Sequence, residues 1–280
     1  MKIGLIHPGE MGAAMGRVLT DAGHEVLWAS ENRSAATAAR AARCHLTDMG
    51  TIANLLGAAE ALISICPPHA ALEVARAAHK SFRGLYVDMN AVSPTRAQEI
   101  GTLFDQFVDG GIVGAPPTAA GTTRLFLSGS QAARVAAWFQ PSIVTAVVVS
   151  AEPGAASAVK MAYAAWTKGT AALLLAIRAA ARAHGVEDEV LDEWRRSAPD
   201  LEARSVSAAW SAATKGWRWV DEMQQIAETM RLAGLPEGFH QAAAEIFQQV
   251  PRQDLGTEDR QQVLNSVLGM LGSGQGSSPS

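Results

Sequence analysis

The chain has 280 residues, with 23 lysines and arginines against 27 aspartates and glutamates, a formal net charge of −4 and 48% hydrophobic residues. That length holds one large or two ordinary domains, and without a basic excess neither nucleic acid nor an anionic membrane surface is an expected partner. The two cysteines, Cys44 and Cys66, are too few for a disulfide framework or a zinc site, so a reducing cytoplasm and metal independence are expected.

The first element is Lys2–Ile6, a short apolar run that breaks at His7-Pro8-Gly9 and gives way to helix-compatible residues from Met11. The break comes too early for a signal peptide. Strand, glycine turn and helix start, in that order, aim backbone N–H groups and the positive end of a helix dipole at one spot, which suits a pyrophosphate. Of the pattern G-x-G-x-x-G the chain keeps Gly9 and Gly12 and places His7 at the first position. His7, Pro8, Gly9, Glu10, Met11 and Gly12 are the expected contacts, with His7 shaping the turn rather than touching phosphate.

The second strand, Glu25–Ala29, runs into Ser30-Glu31-Asn32-Arg33-Ser34. A site that prefers NAD places Asp or Glu at this strand end for the ribose 2′-hydroxyl. Ala29 and Ser30 are not acidic, whereas Ser30, Asn32, Arg33 and Ser34 offer charge and hydroxyls to a 2′-phosphate. The pattern favours NADP (NADPH). Glu31 is near enough that a shift of register brings it to the ribose, and a solvated polar loop is the other reading.

Further strands are expected at Ala61–Ile65, Leu85–Asp88, Phe107–Asp109, Arg124–Ser128 and Val144–Val149. Ala-rich helical runs such as Ala13–Ala22, Ser34–Ala42 and Ala70–His79 lie between several of them, and this alternation implies a parallel, doubly wound sheet. After Pro153 the strand signal ends. Gly154–His184 reads as one helix stopped by Gly185, about 45 Å long at 1.5 Å per residue. Its least polar stretch, Met161–Ile177, contains Lys168 and reads as a buried helix, not a membrane span. Such a helix outruns one small domain, so a second subunit covers part of it or a neighbouring helical layer does. Helices follow at Glu187–Arg195, Leu201–Ser211, Trp217–Ala233 and Gly238–Gln248. The expected organisation is an α/β domain over 1–150, an all-α substrate and dimerisation domain over 151–271, and a disordered low-complexity tail over 272–280.

On the long helix, Lys160 follows Gly154 by six residues amid small apolar side chains, and partial burial there suits a lysine to general acid/base work. Tyr163 and Thr167 fall on its face at i+3 and i+7. A surface lysine whose stem covers alanines is the plainer alternative. Lys168 is on another face and is expected to be solvated.

Four segments carry a resemblance: GLIHPGEMGAAMG, ISICPPHAA, YVDMNAVSP and GAASAVKMAYAAWTKG. They resemble the β-hydroxyacid dehydrogenase group, which includes 3-hydroxyisobutyrate and 6-phosphogluconate dehydrogenases and the related imine reductases. The resemblance implies an α/β Rossmann-type domain joined to an all-α domain by the long helix, and a homodimer acting on a small-molecule substrate. It implies that Cys66, Pro67, Pro68 and Asn90 border the cofactor and that Lys160 handles the proton of the alcohol oxygen. The group's substrate loop falls on Asp109–Ala115, making Gly110, Gly111, Val113 and Gly114 substrate candidates. A later lysine–aspartate pair falls on Val220 and Asp221. Departures are plain: Val113 replaces a serine, Val220 a lysine, and Tyr163-Ala164 a pair of asparagines.

The resulting expectation is an NADP-dependent oxidoreductase acting on a hydroxyl or carbonyl carbon. An imine reductase and a dinucleotide-binding protein without turnover are the alternatives. Trp166, Trp210, Trp217, Trp219 and Phe239, with Met161 and Met223, suggest a roomy apolar pocket, although such residues at helical spacing are more often core. Arg124 and Arg218 are anion candidates or ordinary salt-bridge partners, and His240 either lines that pocket or, the preferred reading, is a satisfied helix residue.

Overall fold

The computed structural model describes residues 1–273 and divides into two compact units, Met1–Tyr163 and the chain from Ala164 on. The strands of the first unit are β1 (Lys2–Ile6), β2 (Glu25–Trp28), β3 (Thr47–Asp48), β4 (Ala61–Ser64), β5 (Leu85–Asp88), β6 (Phe107–Gly114), β7 (Thr123–Ser128) and β8 (Val144–Ser150). Its helices are α1 (Glu10–Asp21), α2 (Ala35–Arg43), α3 (Ile52–Ala58), α4 (Ala71–His79), α5 (Pro94–Gly101) and α6 (Ala132–Ala137), followed by the first turns of α7 (Ala155–Ala183). This is the expected α/β Rossmann-type arrangement, followed by helices only.

The strands form one sheet in the order β3-β2-β1-β4-β5-β6-β7-β8. β1 to β6 pair in parallel, β7 lies antiparallel to β6, and β8 is parallel to β7. The expectation of a wholly parallel sheet is corrected at this edge. Residues 115–122 are too short a connection for a parallel crossover, so the chain turns straight back beside β6.

β4 and β5 are buried along their whole length, as parallel strands covered on both faces must be. Alternate residues of β1 feed two apolar clusters: Ile3 and Leu5 join Met15, Leu19 and Val87, while Ile6 joins Leu62, Tyr86 and Phe107. Short helices start on side-chain caps. Ser34, Thr51 and Ser93 accept from the N–H groups of Thr37, Asn54 and Arg96, and Pro94 takes the first position of α5.

From Ala164 the unit consists of the rest of α7 with α8 (Glu187–Ser197), α9 (Leu201–Lys215), α10 (Trp219–Leu232), α11 (Gly238–Gln248) and α12 (Arg260–Ser273). α9 packs on α12 and α10 on α11. Buried Arg178 ties three helices together, giving Nη2 to Glu187 at 2.6 Å and Nη1 to the Ser205 hydroxyl at 2.9 Å. α12 reaches Ser273, so Gly272 and Ser273 are helical and not part of a disordered tail; positions 274–280 lie outside the described residues. Buried Val263, Leu264, Val267 and Leu268 form the face that holds α12 down. Among the described residues no helix is long and apolar enough to cross a membrane.

Candidate functional site

One polar row crosses the sheet of the first unit. Ile6 pairs with Ser64, Ser64 with Asp88, Asp88 with Asp109, Asp109 with Ser128, and Ser128 with Ser150. Ser64, Asp88, Asp109 and Ser128 are all fully buried. The turn after β1, the loops after β4 and β5, and the start of α7 all leave the sheet from this row. Ligands of such sheets bind outside the carboxyl ends of the strands, where the strand order reverses. Here the reversal lies between β1 and β4.

At the turn, His7 adopts a left-handed φ of 66°. Glycine adopts that conformation freely, and histidine tolerates it better than most residues. The His7 carbonyl accepts from Gly9 N at 2.8 Å. A Cβ on Gly12 would lie 2.5 Å from the same oxygen, so α1 approaches the turn only because that residue has no side chain. A Cβ on Gly9, in contrast, would meet nothing within 4 Å, and α1 opens there without a side-chain cap. Open space over Gly9, beside an uncapped helix start, fits a pyrophosphate.

The His7 imidazole is pushed down to about 4, by burial first and then by the charge of Arg33. It is neutral near pH 7 and brings no positive charge to a phosphate, which agrees with a turn-shaping role. Its Nδ1 is buried without a hydrogen-bond partner. Arg40 of α2 donates to the Pro8 carbonyl at 3.4 Å. Ser30, Asn32, Arg33 and Ser34 follow β2; Asn32, Arg33 and Ser34 are exposed. The Glu31 carboxylate accepts from Ile52 N at 3.3 Å, which occupies it at the start of α3.

Asn90 fastens the loops after β4 and β5. Its Oδ1 accepts from Cys66 N at 2.5 Å, and its Nδ2 donates to the Ser64 hydroxyl at 3.1 Å and to Asp88 at 2.8 Å. Burial and the charge of Asp88 push the Cys66 thiol up to about 12, against a weak contact with Ser64, so it is an inert thiol that packs the loop. Pro67 is exposed and Pro68 half-buried beside it.

Asp109 collects four donors. Its Oδ2 accepts from the Ser128 hydroxyl at 2.9 Å, from Gly154 N at 3.0 Å and from Ser157 N at 2.9 Å. Its Oδ1 accepts from the Ser157 hydroxyl at 2.6 Å. Ser128 in turn accepts from Ala156 N at 3.0 Å. Nothing in the sequence marked this network, because Asp109 and Ser157 are 48 residues apart.

The expected substrate loop is corrected. Gly110, Gly111 and Val113 are buried within β6 and paired along β7; of the four substrate candidates on this strand only Gly114 is exposed. Gly111 is small because α7 lies against it. A Cβ there would come within 2.5 Å of the Ala156 carbonyl and 3.0 Å of the Lys160 Cβ. Lys160 is half-buried and Tyr163 is 45% exposed one turn on.

In the helical unit, Thr167 lines a cleft of about 210 Å³ with Thr170, Arg204, Ser207, Ser211 and Trp219. Asp221 is half-buried in the first turn of α10. Lys168 is not solvated: it forms an ion pair with Glu222, near the Trp219 ring, because α10 presents a buried carboxylate to it. Nor is His240 a satisfied helix residue; its Nδ1 is buried without a partner, and burial lowers its pKa. The aromatic residues do not gather round one pocket. Trp166 lies under Arg204, Trp210 under Arg260 and Trp217 under Arg218, while Trp219 packs edge-on against Phe247. Met161, expected with the helical part, is buried in the first unit. Arg124 is exposed on β7. Among the described residues no three His, Cys, Asp or Glu side chains group so as to hold a metal ion.

Comparison with known proteins agrees with this geometry. Residues 2–141 match the model of the NAD binding domain of 6-phosphogluconate dehydrogenase, and residues 181–250 match a domain of unknown function, DUF1932. An uncharacterized 28.5 kDa protein in a 7S RNA 5′ region of Methanothermus fervidus is 30% identical over 194 residues, 69% of this chain and 75% of that protein. A conserved protein of unknown function, described as structurally similar to 3-hydroxyacid dehydrogenases, superposes with a TM-score of 0.67 at 28% identity over 89% of this chain and 96% of its own. The 3-hydroxyisobutyrate dehydrogenase of Mycobacterium tuberculosis shares the fold, with a TM-score of 0.70 at 18% identity over 95% of this chain and 98% of its own.

Proposed function

The chain belongs to the family of the NAD binding domain of 6-phosphogluconate dehydrogenase, and on that premise we propose that it is an NADP-dependent oxidoreductase. It moves a hydride between the nicotinamide and a hydroxyl or carbonyl carbon of a small, hydroxyacid-like substrate, with Lys160 as general acid/base. The observation that carries this reading is Lys160 seated against Gly111 in the same compact unit as the dinucleotide turn.

A bound nicotinamide cofactor supplies the hydride. The Gly9–Gly12 turn and the start of α1 hold its pyrophosphate. Arg33 and Ser34 take a 2′-phosphate, a role supported by their exposure just after β2 and by the engagement of Glu31 with Ile52 N. The Pro67-Pro68 loop, fastened through Asn90, borders the nicotinamide side. In the reducing direction Lys160 gives its proton to the oxygen of the carbonyl, and in the oxidising direction it takes that proton back. Tyr163 orients the same oxygen. Gly114 remains a substrate contact in this reading. Trp166, Leu173 and Ile177 are exposed along α7, which supports a homodimer.

The test is oxidation of NADPH against 2- and 3-oxo acids, semialdehydes, aromatic ketones and cyclic imines, with Lys160→Ala beside the wild type. Turnover of a carbonyl substrate that collapses in the variant supports the reading. Imine turnover indifferent to the substitution replaces it with a C=N reductase, and NADPH that binds without being consumed by any member of the panel counts against catalysis.

A further inference from the structure

We propose that Asp109 is the positioning residue for Lys160, acting through the first turn of α7. This rests on the reading of Lys160 as the proton carrier. The first N–H groups of any helix lack partners within it. At the start of α7 the N–H groups of Ser157 and of Gly154, the residue just before the helix, are taken by one buried carboxylate, and that of Ala156 by Ser128, which itself donates to the same carboxylate. The Ser157 hydroxyl adds a fourth bond at 2.6 Å. A carboxylate at a helix N-terminus is also stabilised by the helix dipole.

Asp109 does not hang from a loop. It is set in β6 between Asp88 and Ser128, two residues before Gly111. The strand that fastens the helix start therefore also carries the surface against which Ala156 and Lys160 rest, one helical turn apart. The two contacts fix both the height and the rotation of the turn that carries Lys160. Asp109 touches neither cofactor nor substrate in this account.

The full chain tests this through Asp109→Asn and Ser157→Ala. The readouts are hydrogen exchange over residues 154–163, acetylation of Lys160 by acetic anhydride relative to Lys80 across pH, and NADPH affinity. Loss of the clamp should quicken exchange and change the relative acetylation rate by about tenfold in D109N and about threefold in S157A, the scale of a charge-assisted and a neutral hydrogen bond. NADPH affinity should stay within about twofold, since α1 is untouched. On a substrate found in the panel, kcat should fall while the KM for NADPH holds. Unchanged Lys160 reactivity and exchange in the variants overturn the proposal, as does a loss of NADPH affinity parallel to the loss of kcat. Should D109N not fold, S157A decides alone. If K160A leaves turnover intact the catalytic reading fails, whereas a collapsed K160A beside an unaltered S157A and D109N sinks only the positioning role.

Discussion

Asp88 and Asp109 are direct register partners on β5 and β6, both fully buried, and they are satisfied in opposite ways. Asp109 is surrounded by donors from β7 and α7. Asp88 accepts from Asn90, through its backbone N–H at 3.0 Å and its amide at 2.8 Å. Burial pushes the Asp88 carboxyl up to about 7; the Asn90 bonds oppose this and the charge of Asp109 adds to it.

This pair gives a pH prediction with a defined sign. Between the ordinary value of 3.8 and about 7, the folded chain keeps the Asp88 proton that the unfolded chain has lost. Asp88 therefore withdraws stability as pH rises through that window, and its effect is constant above it. Urea unfolding at about pH 5 and about pH 8 should show Asp88→Asn gaining relative to wild type on the alkaline side. A difference between the two proteins that does not vary with pH would refute it.

Gly12→Ala places a methyl group 2.5 Å from the His7 carbonyl, where backbone and not a flexible side chain must give way. The expected loss is about 1–3 kcal/mol of stability, with NADPH binding weakened because α1 tilts from the turn. Gly9→Ala is the control, since its Cβ meets nothing in the protein; it should fold normally and lose affinity only through the space it takes from the ligand. Urea midpoints and NADPH fluorescence titration check both, and equal stabilities for the two variants would contradict the packing argument.

Arg33→Ala should cost NADPH about ten- to a hundredfold in affinity and leave NADH within about twofold, the worth of a charge-assisted contact to a phosphate. Parallel titrations of both nucleotides decide it. An equal loss for the two would place Arg33 at the pyrophosphate or in the fold rather than at the 2′-position.

The expected strands match those observed to within a few residues, because parallel strands buried on both faces read as unbroken apolar runs. β6 is the exception. Gly110, Gly111 and Gly114 read as loop, but they are strand positions where α7 or a neighbouring chain segment leaves no room for a side chain. β3 is two polar residues paired with β2, and nothing local announces it. α12 is not among the expected helices, although Val263, Leu264, Val267 and Leu268 carry helical spacing, because the polar stretch before it masks its start. The dinucleotide turn was readable because strand, glycines and helix are contiguous. The Asp109 network and the Lys168–Glu222 pair were not, because each joins residues dozens of positions apart.

The compact units divide inside α7, after Tyr163, so that the opening turns of this helix belong with the sheet. The lysine and the nucleotide turn therefore lie in one compact unit. A recombination that replaced everything from Ala164 onward would deliver new side chains to the helical half. The footing of Lys160 on β6 would pass through such an exchange unaltered.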